Sequence, residues 1–148
     1  IPAYDMVVRD STLYQSAFAG FVVYGLPDLE RRKFIDRISP ITSDTEIHLR
    51  DGIAYISTEL AIVAIDLDAE EVLWRSKTES EATTGLSFAD GRLWVGIEES
   101  VQAISATEGT RLFTRDRNNS TSSLLAVDNT LLLSGTSSTD GYQIVSDS

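Results

Sequence analysis

An aspartate recurs four times along this 148-residue chain at almost constant spacing. Asp10, Asp51, Asp90 and Asp128 lie 41, 39 and 38 positions apart. Each follows a short run rich in Val, Ile, Leu or Tyr and opens a polar turn: Asp10-Ser11, Asp51-Gly52, Asp90-Gly91 and Asp128-Asn129. A period near 40 residues is the mark of one supersecondary unit repeated as an array. Strand-length runs bounded by Asp-Gly, Asp-Asn or Ser/Thr clusters fill each period, at four to a period in the clearest copies. That arrangement predicts an all-β chain, a β-propeller of four-stranded antiparallel blades. A β-sandwich of short strands is the competing fold, but it offers no reason for the recurrence.

The expected blades are about 1–40, 41–78, 79–117 and 118–148. In the first, the runs are Tyr4–Val8, Leu13–Ala17, Phe21–Leu26 and Arg32–Ile38. Leu29–Lys33 has some helical propensity. Alignment at a spacing of 40, which sets Asp28 and Phe34 against Asp68 and Trp74, favours a strand there instead. The second blade reads Glu46–Leu49, Ile53–Thr58, Ala61–Leu67 and Val72–Ser76. The third reads Gly85–Phe88, Leu93–Ile97, Val101–Ser105 and Arg111–Thr114. The fourth has only Ser123–Val127, Leu131–Ser134 and Tyr142–Ser146, so its fourth strand is missing.

Packing expectations follow from side-chain alternation. In Ile53–Thr58, Ile53 and Tyr55 fall on one face and Ala54 and Ile56 on the other, as in a strand buried on both sides. Trp74, Trp94, Phe34 and Phe113 are expected to fill the space between blades, about 1.5–3 kcal/mol each on burial. Asp51-Gly52 and Asp90-Gly91 suit two-residue hairpins, where Gly accepts positive φ without strain.

The stretch Ala64–Trp74 carries a further signal: Ala64, Asp66 and Trp74 stand at positions one, three and eleven of an eleven-residue run. Ala103, Gly109 and Phe113 form a degraded copy. These residues resemble the docking motif of PQQ-like (BamB/quinoprotein-type) propeller repeats, whose consensus is Ala-x-Asp-x-x-Thr-Gly-x-x-x-Trp. Ala69 and Glu70 replace its Thr and Gly; Ser105, Glu108 and Phe113 depart from it in the second copy. The Asp51-Gly52 and Asp90-Gly91 strand starts, followed by Tyr55 and Trp94, are also typical of that family. The resemblance is strong over residues 45–117 and weak at both ends. It implies rings of seven or eight blades, so about four blades would be part of a larger ring. Further blades of the same protein, a second copy as a homo-oligomer, or another protein partner would complete it. Closure as a small four-bladed ring, with Ile1–Tyr4 as the missing outer strand, is the other solution.

Composition narrows the chemistry. Twenty-three acids against 12 bases give a net charge of −11, which argues against nucleic acid as a partner, since phosphate binding relies on Lys/Arg clusters. Only Lys33 and Lys77 are lysines; the remaining bases are arginine. An acidic surface with Arg in place of Lys suits strong salt, where self-repulsion is screened. A halophilic, haloarchaeal source is therefore expected. With no cysteine, disulfides, thiolate catalysis and Cys-ligated metals are excluded. The longest apolar stretch near the start, Phe18–Leu26, is too short to cross a membrane and has no basic segment before it. No membrane insertion is expected. The chain begins at Ile1 rather than Met, which suggests a processed protein or an excised piece.

Candidate chemistry is sparse. His48 is the only histidine and is expected to line a channel in an innermost strand. Asp66, Asp68, Glu70 and Glu71 alternate like calcium ligands, but the glycine of a calcium loop is absent. Arg31-Arg32-Lys33 is a lone basic cluster. Asn118 and Asn119 each begin a glycosylation acceptor triplet. No catalytic residue, cofactor or metal site is assigned. The expected function is a non-catalytic binding or assembly scaffold, extracytoplasmic at the cell envelope, recognising protein through rim loops at Ser43-Asp44, Glu79–Thr84 and Asn118–Ser122. A fragment of a PQQ-dependent quinoprotein dehydrogenase and a sensor domain of a larger signalling protein are the alternatives. An incomplete ring should also leave apolar faces uncovered on its first and last blades, and an unpaired strand edge on the last.

Overall fold

Alternating apolar and polar residues between tight turns fold here as antiparallel meanders. The computed structural model describes residues 3–17, 20–36, 45–58, 60–77, 83–97, 100–116, 121–127, 130–135 and 139–143; no helix occurs among them. The first sheet is β1 (Ala3–Arg9), β2 (Thr12–Ala17), β3 (Gly20–Gly25) and β4 (Glu30–Asp36), in sequence order. The second is β5 (Ile47–Arg50), β6 (Ile53–Ser57), β7 (Ala61–Asp66) and β8 (Glu71–Lys77). In the third stand β9 (Thr83–Ala89), β10 (Arg92–Ile97), β11 (Ser100–Ser105) and β12 (Arg111–Asp116). The fourth holds only β13 (Thr121–Val127), β14 (Thr130–Gly135) and β15 (Thr139–Gln143). Leu29 lies in a turn and Glu30–Lys33 in β4, so the strand wins over the local helical propensity.

Two compact units divide the chain, Ile1–Lys77 and Thr78–Ser148. In the first unit, Tyr14, Phe21 and Val23 of the first sheet pack on Ile47, Ala54, Ile56, Val63 and Ile65 of the second. Each large side chain removed from water here contributes about 1.5–3 kcal/mol. Tyr14 and Phe21 stack at 5.9 Å between ring centroids. A carboxylate pins the same two sheets, as the Ile47 amide donates to Asp5 Oδ2 at 2.8 Å. In the second unit, Trp94, Val101 and Ala103 of the third sheet pack on Leu124, Leu131 and Leu133 of the fourth. There the Ala126 amide donates to Ser87 Oγ at 2.9 Å.

The middle strands are buried on both faces, β6, β7, β10 and β11 almost throughout. That explains their unbroken runs of Val, Ile, Leu and Ala. Outer strands are different: β8 alternates between exposed and half-buried residues, and β12 is exposed along its whole length. Phe34 and Phe113 therefore do not fill the space between sheets, as expected from sequence; both are exposed in outer strands. Trp94 is buried and Trp74 half-buried, the latter 6.0 Å from the Tyr55 ring. Asp51 (φ 49°) and Gly52 (φ 79°), and likewise Asp90 (φ 53°) and Gly91 (φ 67°), all have positive φ. These are the dihedrals of a type I′ hairpin, whose twist matches that of the strands it joins.

Two sequence expectations are corrected at the ends of the chain. The last strand runs over Thr139–Gln143, earlier than Tyr142–Ser146; residues 144–148 are outside those described. Ala3 pairs with Ala17 within the first sheet, and the fourth sheet has no member beyond β15 among the described residues. The Ala3–Tyr4 segment thus belongs to β1, not to an outer strand of the last sheet.

Burial raises the phenol pKa of Tyr14 and of Tyr55 above the ordinary value of about 10, with Arg9 and Arg50 respectively pulling the other way. A raised folded-state pKa leaves stability constant while the unfolded phenol is still protonated. Stability then falls as pH climbs from about 10 through the folded-state pKa. The urea midpoint should be level up to about pH 9.5 and drop above it, with a shallower drop in a Tyr14→Phe, Tyr55→Phe double variant. An equal drop in that variant would remove these two phenols as the cause.

Candidate docking surfaces

The recurring Ala-to-aromatic motif is a structural device of the turn and outer strand. Ala64 pairs with Trp74, and the register then slips by one residue at a bulge before Ile65 pairs with Val72. Ala103 and Phe113 repeat this pairing and bulge in the third sheet. In the first sheet the equivalent pair is Val23 and Lys33, again followed by a bulge. The counterpart of Trp74 is therefore Lys33, at the same spacing of 41 that separates Asp10 from Asp51, rather than Phe34.

Across the second sheet, Tyr55, Ala64 and Trp74 form one cross-strand row. The small central residue lets the two flanking rings approach each other. Trp94, Ala103 and Phe113 form the same row in the third sheet. The Trp94 indole Nε1 is buried with no hydrogen-bond partner among the described residues.

Asp66 closes the turn between β7 and β8: its Oδ1 accepts from the Asp68 and Ala69 amides, both at 2.9 Å. Ser105 takes over this role in the third sheet, its Oγ accepting from the Glu108 amide at 3.3 Å. The consensus glycine position has positive φ in all three complete sheets, at Leu29 (54°), Glu70 (53°) and Gly109 (71°). Only the third sheet places a glycine there.

The acidic residues of 66–71 serve the turn and surface pairing. Asp68 lies 3.8 Å from Arg9, and Glu70 lies 3.8 Å from Lys33, contacts that solvent weakens. No group of three or more His, Cys, Asp or Glu among the described residues could hold a metal ion. His48 is half-buried in β5, with Nε2 3.1 Å from Glu46 Oε2. Arg31 and Arg32 are exposed in β4, and the Arg32 guanidinium lies across Gly25. Asn118, Asn119, Ser43 and Asp44 lie outside the described residues. Of the two other rim loops, only Thr83-Thr84 and Thr121-Ser122 are described, and both pairs fall within strands.

Sequence reading missed Ser16 and Ser57, each six residues after an anchor Asp. Ser16 Oγ accepts from the Asp5 amide and Ser57 Oγ from the Glu46 amide, both at 2.9 Å. Their spacing of 41 was available as a signal.

Large apolar side chains are exposed on all four sheets, Leu73 on the second and Leu112 and Phe113 on the third among them; on the end sheets they lie beside the packing faces. On the fourth sheet, Leu125 (54% exposed) pairs directly with Leu132 (39% exposed), and Val127 continues the face. The opposite side of that sheet carries Leu124, Leu131 and Leu133 in the core. On the first sheet, Met6 and Val8 are 56% and 59% exposed, facing away from the core that Tyr14 enters. Phe34 (37% exposed) lies along the same face in the row Met6, Gln15, Val22 and Phe34, of which Gln15 and Val22 are buried. Its ring reaches over Gly20, where a Cβ would stand 3.1 Å from Phe34 Cζ and would collide with the Ile35 carbonyl oxygen.

No protein-family model and no curated protein matches the sequence. Solved structures do. The computationally designed Ika4 protein aligns with a TM-score of 0.79 at 14% identity, over 97% of this chain and 92% of its own. The Pan2 WD40 domain of Neurospora crassa aligns at 0.77 and 12% identity, over 99% of this chain and 48% of its own. BamB from Moraxella catarrhalis aligns at 0.70 and 15% identity, over 94% and 42%. The chain thus spans less than half of either natural protein's structure. At these identities the likeness shows the fold: β-propeller blades of antiparallel strands.

A non-glycine residue in the left-handed region costs about 1–2 kcal/mol, offset in part by the backbone entropy a glycine loses on folding. Leu29 is exposed, so little packing is lost on truncating it. Leu29→Gly should raise stability by about 0.5–1 kcal/mol, and Gly109→Leu should lower it. Urea midpoints of the two variants, moving in opposite directions, would check this.

Proposed function

We propose that this chain is a non-catalytic binding and assembly scaffold, a set of PQQ-like propeller blades whose end sheets are covered by another polypeptide. The carrying observation is the contrast within the fourth sheet. Leu124, Leu131 and Leu133 are buried on one side, while Leu125, Val127 and Leu132 stand in solvent on the other. Contiguous exposed apolar faces mark protein-interaction surfaces. Support for the PQQ-like assignment comes from Ala64, Asp66 and Trp74 in register, and from Gly109 at the left-handed position. The structural likeness to a BamB and to WD40 domains fits an interaction scaffold in general terms. The protein isolated undenatured from its source should run well above 16.2 kDa, in an assembly that contains further blades or a partner. A native mass equal to that of this chain overturns the proposal.

The setting we propose is extracytoplasmic, at the envelope of a halophilic cell. Support is compositional: a net charge of −11 with only two lysines. Asp66, Asp68, Glu70 and Glu71 crowd one turn, and salt screens such repulsion over a length that shrinks to about 3 Å at 1 M. The thermal midpoint should rise as KCl increases from about 0.1 to 2 M, most steeply below about 1 M. A midpoint that falls with salt would remove the halophilic part.

A further inference from the structure

The two uncovered faces are the two halves of one contact that the chain already makes twice. Tyr14, Trp94 and Leu132 each lie four residues after an anchor Asp. Tyr14 packs from the first sheet onto the second, and Trp94 from the third onto the fourth. Leu132 occupies the same position on the fourth sheet and meets solvent. The receiving side repeats as well, at four and two residues before the anchor and three after it. In the second sheet these residues are Ile47, Leu49 and Ala54, all in or against the first core. In the fourth they are Leu124, Ala126 and Leu131, in or against the second core. In the first sheet they are Met6, Val8 and Leu13, of which Met6 and Val8 are exposed. The fourth sheet therefore presents an unused inserting face, and the first sheet an unused receiving edge at Met6 and Val8 of β1, next to Gln15 and Val22, which are buried.

We propose that a second copy of this chain covers them: the fourth sheet of one copy packs on the first sheet of the other. This rests on the scaffold reading above and names its partner. Charge agrees with the pairing. Residues 1–40 hold five of the 12 bases against five acids, whereas residues 118–148 hold Asp128, Asp140 and Asp147 and no base. A neutral, Arg-bearing end thus meets an end of charge −3, inside a chain whose net charge of −11 would otherwise oppose self-association. The contact joins two different faces, so it is head-to-tail, and if its rotation closes after two chains both ends of both copies are covered.

The test is sedimentation equilibrium of the 148-residue chain, with two variants that each block one face. The unaltered chain should sediment at twice 16.2 kDa. Leu132→Lys removes the inserting face and Val8→Asp the receiving face. Each variant alone should pair at least about 30-fold more weakly, since each buries an unpaired charge in the contact. An equimolar mixture should recover pairing. The Val8→Asp chain still has its fourth sheet and the Leu132→Lys chain its first, so one undamaged contact forms. Far-UV circular dichroism checks that both variants fold; if either does not, Leu125→Lys and Met6→Glu replace them. Open polymers overturn the closed pair. Variants that pair as tightly as the unaltered chain, or a folded mixture that stays monomeric, overturn the head-to-tail contact. A chain that is monomeric alone yet part of a larger native assembly overturns self-pairing and leaves the scaffold reading standing.

Discussion

Within each unit of this protein, one sheet depends on the apolar face of the other packed against it. Middle strands buried on both sides carry Ile, Val, Leu and Ala there because no face is left for water. Within the first unit, Phe21 and Val23 have no use without Ile56, Val63 and Ile65 opposite, and the converse holds equally. Within the second unit, Trp94 and Val101 stand in the same relation to Leu131 and Leu133. Backbone hydrogen bonds hold each sheet together, but apolar area between sheets supplies the driving force for folding. A repeat of this kind propagates until a face has no partner, and the exposed leucines of the fourth sheet mark one such place.

The polar devices serve that packing. Asp5 reaches from β1 to the Ile47 amide, and Ser87 receives the Ala126 amide. Each fixes how the innermost strand of one sheet sits beside that of the next. Asp66 and Ser105 close the turns into the outer strands, whose bulges fall at the same paired positions in three sheets. Outer strands tolerate Arg, Lys and Glu because at least one side of each is in water. This is why Lys33 can stand where the second sheet has Trp74. The acidic turn that resembles a calcium loop is of the same kind, with Asp66 occupied by backbone amides and Glu70 set opposite Lys33.

The proposed scaffold role rests on which faces are left over. Among the described middle-strand residues the buried polar side chains are Gln15, Ser16, Ser57 and Gln102, and the histidine sits beside a glutamate at a half-exposed sheet edge. Leu125, Val127 and Leu132 form an exposed apolar face on the fourth sheet, and Met6 and Val8 are exposed on the first. A surface of that composition recognises by shape and apolar area, and the surrounding charge steers orientation rather than supplying most of the affinity.

Strand order, the positions of nearly all strands and the sheet-forming repeat were legible in the sequence, because Asp-Gly turns and two-fold alternation are local. Asp51-Gly52 needs nothing beyond its own dihedral preferences to make its hairpin. What the sequence left undecided was non-local. The pairing of Val23 with Lys33, where the second sheet pairs Ala64 with Trp74, emerges only from the paired backbones, because Phe34 beside it is chemically closer to Trp74. Phe34 and Phe113 look like core residues by composition, yet sit in strands that one layer of sheet leaves open to water. Leu131 and Leu132 are adjacent and chemically identical; one is buried and the other exposed. The pleat sends them to opposite faces, and only the tertiary structure decides which face has a neighbour.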